Sequence, residues 1–151
     1  MKTLRRSHNK KHNKTRSSNK KSANKFEQEI VLQFLHMLNT VKLYHWKTHS
    51  YPNHKATDEL YGTLGDNIDK FIEVLLGKLG NRVDLTHVKS IPLCDLSSLE
   101  QFKREIGKYK SYLVGLDSNK TMNSMSNSDL FNIRDEILGD LNQYLYLSTL
   151  H

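Results

Sequence analysis

"HKATDELYGTLGDNIDKFIEVLLGKLG", residues 54–80, is the stretch whose reading decides the fold. Tyr61, Leu64, Ile68, Phe71, Leu75 and Leu79 recur at spacings of three and four, the period of a helix with one apolar stripe. Gly80-Asn81 ends it. On a wheel of about 100° per residue with His54 at zero, Asp58 falls at about 40°, Asp69 at about 60° and Glu73 at about 100°, while the stripe centres near about 300°. The four polar residues therefore form an arc beside the core face, not opposite it, where a neighbouring helix can cover them.

The same period marks three more helices. The first is expected from about Phe26 to His49, with Ile30, Phe34, Leu38, Val41 and His45 on its stripe, and Pro52-Asn53 marks the break after it. The third begins near a capping box, Ser97-x-x-Glu100, and carries Leu99, Phe102, Ile106, Tyr109, Leu113 and Leu116. The fourth begins near Asn127 or Ser128 and carries Leu130, Ile133, Ile137, Leu141, Tyr144 and Leu147. Residues 81–96 read as an irregular link and 117–127 as a Ser/Asn-rich connector. Short links after helices one and three allow antiparallel neighbours, and the long link after helix two can run back along the molecule. The expectation is an all-α, ferritin-like four-helix bundle over residues 26–151, with a long crossover between helices two and three.

Charge divides the chain. Ten of its 23 Lys+Arg lie in residues 1–25, which hold no acid; the other 13 face 16 acids, leaving the body a formal net of −3. The segment "MKTLRRSHNKKHNKTRSSNKKSANK" has one large aliphatic residue beyond Met1, so it reads as a disordered basic arm. Arg5, Arg6, Lys10, Lys11, Lys14, Arg16, Lys20, Lys21 and Lys25 suit non-specific phosphate contact. An import signal, with Lys10-Lys11 and Lys20-Lys21 as its halves, or plain solubility explains them as well. Cys94 is the one cysteine, so no intrachain disulfide forms. No apolar run approaches the roughly 20 residues of a membrane helix, and the basic N-terminus lacks the apolar stretch of a signal peptide. An intracellular location is expected.

Histidine concentrates at the turn: His45, His49 and His54, beside the one tryptophan, Trp46. A rise of about 1.5 Å per residue separates His54 from Glu73 by roughly 28 Å, so one chain cannot bring them to one ligand. Two copies antiparallel about a two-fold axis can, because 54 pairs with 73 and 58 with 69 at one common register. Gly62 pairs with Gly65 at that register and lies on the same arc. Interior helix glycine costs about 1 kcal/mol relative to alanine, and at the axis it lets two backbones approach. Each end then gathers His54 and Asp58 of one chain with Asp69 and Glu73 of the other, and His45 joins from helix one. Mixed imidazole and carboxylate donors suit iron, with zinc or manganese as alternatives. The plain readings are solvated carboxylates, a His45–His49 surface pair, Trp46 as core filler, and His36 and His87 as isolated surface or core histidines.

The pair His45-Trp46 followed by His54-x3-Asp58-x10-Asp69-x3-Glu73 resembles the Dps family of mini-ferritins over roughly residues 30–80. From "HWKTHSYPNHKA" onward the chain also resembles ferritin-like proteins of large DNA viruses and phages. The Dps resemblance implies a ferritin-like bundle, iron sites shared across a two-fold interface, Fe(II) oxidation, often a twelve-subunit shell, and in many members a DNA-holding arm. It makes His45, His54, Asp58, Asp69 and Glu73 iron ligands and places Trp46 beside them. Two departures stand out. Nine residues separate His45 from His54, three fewer than usual in Dps, and residues 81–96 show no clear short helix. The chain also lacks a Glu-x-x-His pair, so the intrachain di-iron site of larger ferritins is not expected. The function expected is iron binding, with Fe(II) oxidation if active, and non-specific DNA binding. The alternatives are a nucleoid or virion structural protein without metal chemistry, and a bundle that only mediates assembly.

Overall fold

The computed structural model describes residues 7–124 and 127–150, and side chains from Lys25 onward within them. It is all-helical over these residues. The long helices are α1 (Ser7–Lys47), α2 (Tyr51–Leu79), α3 (Leu99–Gly115) and α5 (Ser128–Leu147). A 3-10 turn, Leu116–Ser118, and a short helix, α4 (Lys120–Ser124), lie in the Ser/Asn-rich connector.

Each long helix buries the stripe its sequence period marks. Phe26, Ile30, Phe34, Met37, Val41 and Tyr44 of α1 meet Leu60, Leu64, Ile68, Phe71 and Leu75 of α2. Phe102, Ile106, Tyr109 and Leu113 of α3 and Leu130, Ile133, Ile137, Leu141 and Tyr144 of α5 complete the core. Burying one such side chain contributes roughly 1.5–3 kcal/mol, so the stripes supply most of the drive to fold.

Named contacts give the directions. The Phe34 and Phe71 rings meet edge to face at 5.3 Å across α1 and α2. Lys70–Glu136, Lys78–Asp129 and Asn67–Asp140 set α2 antiparallel to α5. Tyr44 stacks on Phe102 at 4.1 Å and Tyr109 reaches Thr40, which sets α3 antiparallel to α1. Arg134 of α5 donates to the Leu113 carbonyl near the end of α3 and to Asp117, both at 2.9 Å. Since every neighbouring pair is antiparallel, α2 and α3 run the same way, and the chain must travel the length of the body between them. It does so along α1: Asn81 donates to Glu27 (3.0 Å), Gln28 to the Asp84 carbonyl (2.9 Å), and Lys47 pairs with Asp95 (2.6 Å). Burial pushes the Glu27 carboxyl up, and the Asn81 amide partly offsets this.

Several boundaries differ from the sequence reading. Where that reading has a disordered arm over residues 1–25, helical backbone extends from the packed part of α1 back to Ser7. Propagating an anchored helix needs no new nucleus, and Lys, Arg and Ala are adequate helix formers. Residues 1–6, with Arg5 and Arg6, and the side chains of Lys10, Lys11, Lys14, Arg16, Lys20 and Lys21 lie outside the described residues. Helix α1 ends at Lys47 rather than His49, and α2 starts at Tyr51 rather than His54 because Ser50 is its cap. The capping box of α3 is Ser98 with Gln101, one residue beyond Ser97 and Glu100. Its geometry is complete: Gln101 N–H reaches Ser98 Oγ and Ser98 N–H reaches the Gln101 side chain, both at 3.2 Å. Gly80 closes α2 at φ 66°, the left-handed region where glycine carries no Cβ penalty.

Candidate metal centre

The three residues Thr48–Ser50 separate α1 from α2. The Thr48 hydroxyl accepts the Ser50 N–H at 3.2 Å, and Ser50 Oγ accepts the Asn53 N–H at 3.4 Å. Pro52 sits in the first turn, where an N–H would have no helical partner. This tight turn sets the last turn of α1 against the first of α2 and brings His45 and His54 face to face. Their rings stack with centroids 4.0 Å apart and 23° between planes.

Each ring also holds the other residue's backbone. His45 Nδ1 lies 3.1 Å from the His54 carbonyl, and His54 Nδ1 lies 3.1 Å from the His45 carbonyl. A carbonyl oxygen only accepts, so both Nδ1 atoms must carry the proton. The buried Thr57 hydroxyl, 3.2 Å from His45 Nδ1, donates to the Asn53 carbonyl at 2.7 Å and so accepts from the ring. In the neutral rings both Nε2 atoms therefore present lone pairs. A backbone partner at one nitrogen is the arrangement that fixes the tautomer and orientation of a metal-binding histidine.

His45 is 6% exposed and His54 half-buried. His45 Nε2 lies 3.8 Å from Oδ1 of the exposed Asp58. With the proton on Nδ1, these are two acceptors facing one another. A cation about 2.0–2.2 Å from each, the usual span of metal–nitrogen and metal–oxygen bonds, fits in that separation. Two donors of one chain can thus face one cation, and among the described residues no group of three or more His, Cys, Asp or Glu converges on one point.

Asp69 and Glu73 lie further along α2, both exposed, and neither has an ion pair or hydrogen bond among the described residues. Gly62 is exposed and Gly65 half-buried, and a Cβ added to either meets nothing within 4 Å. Packing inside the chain therefore does not require glycine at either position. A groove of about 650 Å³ runs beside Gly62 between α2 and the end of α5, lined in part by Pro52, Asp58, Asp66, Leu147 and Leu150.

Among the described residues, three further histidines lie apart from the site. His49 is exposed beyond the end of α1, so His45 pairs with His54 and not with His49. His36 bonds Tyr109, and His87 is exposed in the link. Trp46 is not core filler: it is 67% exposed, because its position near the end of α1 turns it away from the stripe, and Lys42 Nζ lies 5.7 Å from its ring centre. The interior is filled by aromatic rings where Phe102 lies between Tyr44 (stacked) and Tyr144, edge-on at 5.3 Å. Burial holds the Tyr144 hydroxyl well above its usual range. Sequence reasoning missed the roles of Thr57 and the two carbonyls. The buried Thr57, three residues after His54, is the one local signal for them.

The tautomers are directly observable. Long-range ¹⁵N–¹H correlation on the full chain, at a pH where both rings are neutral, should show His45 and His54 protonated at Nδ1 and bare at Nε2. A neutral ring with its proton on Nε2 and a bare Nδ1 would contradict the reciprocal carbonyl contacts.

No curated protein and no solved structure matches the chain. A family model does match residues 45–147, a span that starts at His45 and includes His54, Asp58, Asp69 and Glu73. The chain belongs to that family, described as a family of unknown function (DUF5856).

Proposed function

We propose that this protein binds Fe(II) as its substrate at sites shared between two copies of a ferritin-like, Dps-like subunit, and oxidises it there, while its basic N-terminal segment holds DNA. The observation that carries the reading is the His45–His54 pair, whose carbonyl contacts leave both Nε2 lone pairs free in the neutral rings, that of His45 3.8 Å from Asp58 Oδ1. Imidazoles in that form receive Fe(II). The carboxylates of Asp58, Asp69 and Glu73 are hard donors that favour Fe(III) once it forms. The order of neighbours α1, α2, α5, α3, with its crossover along α1, is compatible with a ferritin-like bundle. The aromatic filling around Phe102 agrees with placing the iron between subunits rather than inside one.

The second copy enters through α2. Antiparallel pairing at the register that joins 54 to 73 and 58 to 69 sets Gly62 against Gly65 of the mate. Close approach of the two backbones at that axis would give their helix cost of about 1 kcal/mol each a purpose. The partner's Asp69 and Glu73 then complete the half-site at each end. In the redox step each Fe(II) gives up one electron; two of them reduce one hydrogen peroxide, which takes up two protons and leaves as two waters. Dioxygen is the alternative acceptor. A twelve-subunit shell is the assembly the resemblance suggests, and zinc or manganese are the other ions the donors suit.

A structural DNA-binding role without metal chemistry is the second reading, in the nucleoid or a virion. The ten Lys/Arg of residues 1–25 suit that role with or without a metal.

Iron titration separates the two. The double substitution Asp69→Ala and Glu73→Ala should abolish saturable Fe(II) binding and the growth of ferric absorbance under peroxide or air. Helix content should not change, since both side chains are exposed and alanine is the better helix former. Oxidation as fast as the parent's, after subtracting the spontaneous rate, would leave the structural role standing. The basic segment has its own test. Full-length protein should retard duplex DNA without sequence preference, with affinity falling steeply with salt as counterions are released. Removing residues 1–25 leaves a body of formal net −3 that should not bind. Equal retardation by the truncated chain at moderate salt would put DNA binding elsewhere.

A further inference from the structure

A groove of about 660 Å³ lies where the link passes over α1 and α3. Its size is that of a small-molecule site. Leu32 of α1, Val88, Ile91 and Pro92 of the link, and Tyr109 and Tyr112 of α3 supply its apolar surface. Its charged groups neutralise one another in pairs: Glu29 with Lys25 at 3.5 Å, and Glu105 with Lys108 at 2.6 Å. The pairs stand toward opposite ends of the groove. Glu29 comes about two helical turns before His36 on α1, and Glu105 about one turn before Tyr109, the partner of His36, on the antiparallel α3.

The stretch between the two pairs is uncharged and holds one ordered acceptor. The Thr40 hydroxyl donates to the His36 carbonyl at 2.8 Å, and the buried Tyr109 hydroxyl donates to Thr40 Oγ1 at 2.8 Å. Tyr109 has no second proton, so its contact with His36 Nδ1, at 3.1 Å, is satisfied only if the ring donates. The neutral His36 ring therefore carries its lone pair on Nε2, which has no hydrogen-bond partner among the described residues. Gln33 and Ser90, also in the lining, are neutral. The Tyr112 hydroxyl is pushed up to about 12 by burial and then by Glu29, so it stays protonated and adds no charge.

We propose that this groove binds a small uncharged phenol. Its ring lies against Leu32, Ile91 and Tyr112, and its hydroxyl donates to His36 Nε2. An ionic head of the same size finds its counter-charges already paired, so it gives up hydration without replacement. A methyl ether of the same shape leaves Nε2 without a donor.

Three probes of similar size test this on the full chain, at a pH where the His36 ring is neutral: 4-ethylphenol, its methyl ether and 2-phenylethylamine, each titrated while ¹H–¹⁵N shifts are followed. The phenol should bind saturably, move amides of residues 32–36, 88–92 and 109–112, and shift the His36 Nε2 resonance. It should bind about tenfold tighter than the ether, the worth of one hydrogen bond, and tighter still than the ammonium. His36→Phe keeps a ring but removes the acceptor, so it should erase the preference for phenol over ether. Should that variant fold poorly, Ile91→Ala in the link should weaken phenol and ether alike, since it trims the wall and spares the acceptor. Equal binding of phenol and ether by the parent, tighter binding of the amine, shifts centred outside these segments, or no saturation by the phenol would overturn the assignment.

Discussion

The reciprocal clasp between His45 and His54 is the interaction from which the rest follows. Two imidazoles flank a three-residue turn, and each bonds the other's carbonyl. Each such bond is worth about 0.5–1.5 kcal/mol net, so the pair matters less for stability than for geometry. It fixes the rotation of α2 about its own axis at the turn. That rotation puts Leu60, Leu64, Ile68, Phe71 and Leu75 inside and leaves Asp58, Gly62, Asp69 and Glu73 on the exposed side. The same contacts commit both Nδ1 protons and so decide which nitrogen faces outward.

The crossover is the second constraint. With all neighbouring helices antiparallel, residues 81–98 must span the body, and they do so by leaning on α1 through Glu27, Gln28 and Lys47. An extended segment of that kind cannot match the packing density of a helix, and the cavity over His36 and Tyr109 lies where its Val88–Pro92 portion bridges α1 and α3. The tight turn thus makes the imidazole pair, and the long link makes the cleft.

Much of this was legible in the sequence because it rests on periodicity. The buried faces of α2, α3 and α5 follow from Leu64, Phe71, Ile106, Tyr109, Ile137 and Tyr144 at helical spacing, and the crossover follows from the length of the link. The helix ends were less legible because capping is degenerate: Ser97 and Ser98 are equivalent as letters, and only geometry selects Ser98. Trp46, whose plain reading was core filler, lies off the stripe and is exposed beside Lys42. His45, His54 and Asp58 were legible as a group from local spacing. Their tautomers were not, since these depend on carbonyls brought together across the turn. The proposed pairing with Asp69 and Glu73 involves a second copy, which the packing of one chain does not show.

Sharing of the site between subunits is the central claim, and subunit mixing tests it most directly. One chain carries His54→Ala with Asp58→Ala, the other Asp69→Ala with Glu73→Ala, and the two are unfolded together and refolded at equal concentration. Each alone should bind no iron saturably. In the mixture, half the dimers pair unlike chains, and a two-fold arrangement restores one of their two sites, so about a quarter of the parent's capacity should return. A mixture as inactive as either parent variant, with mixed dimers present by native mass measurement, would contradict a site built from two copies of α2.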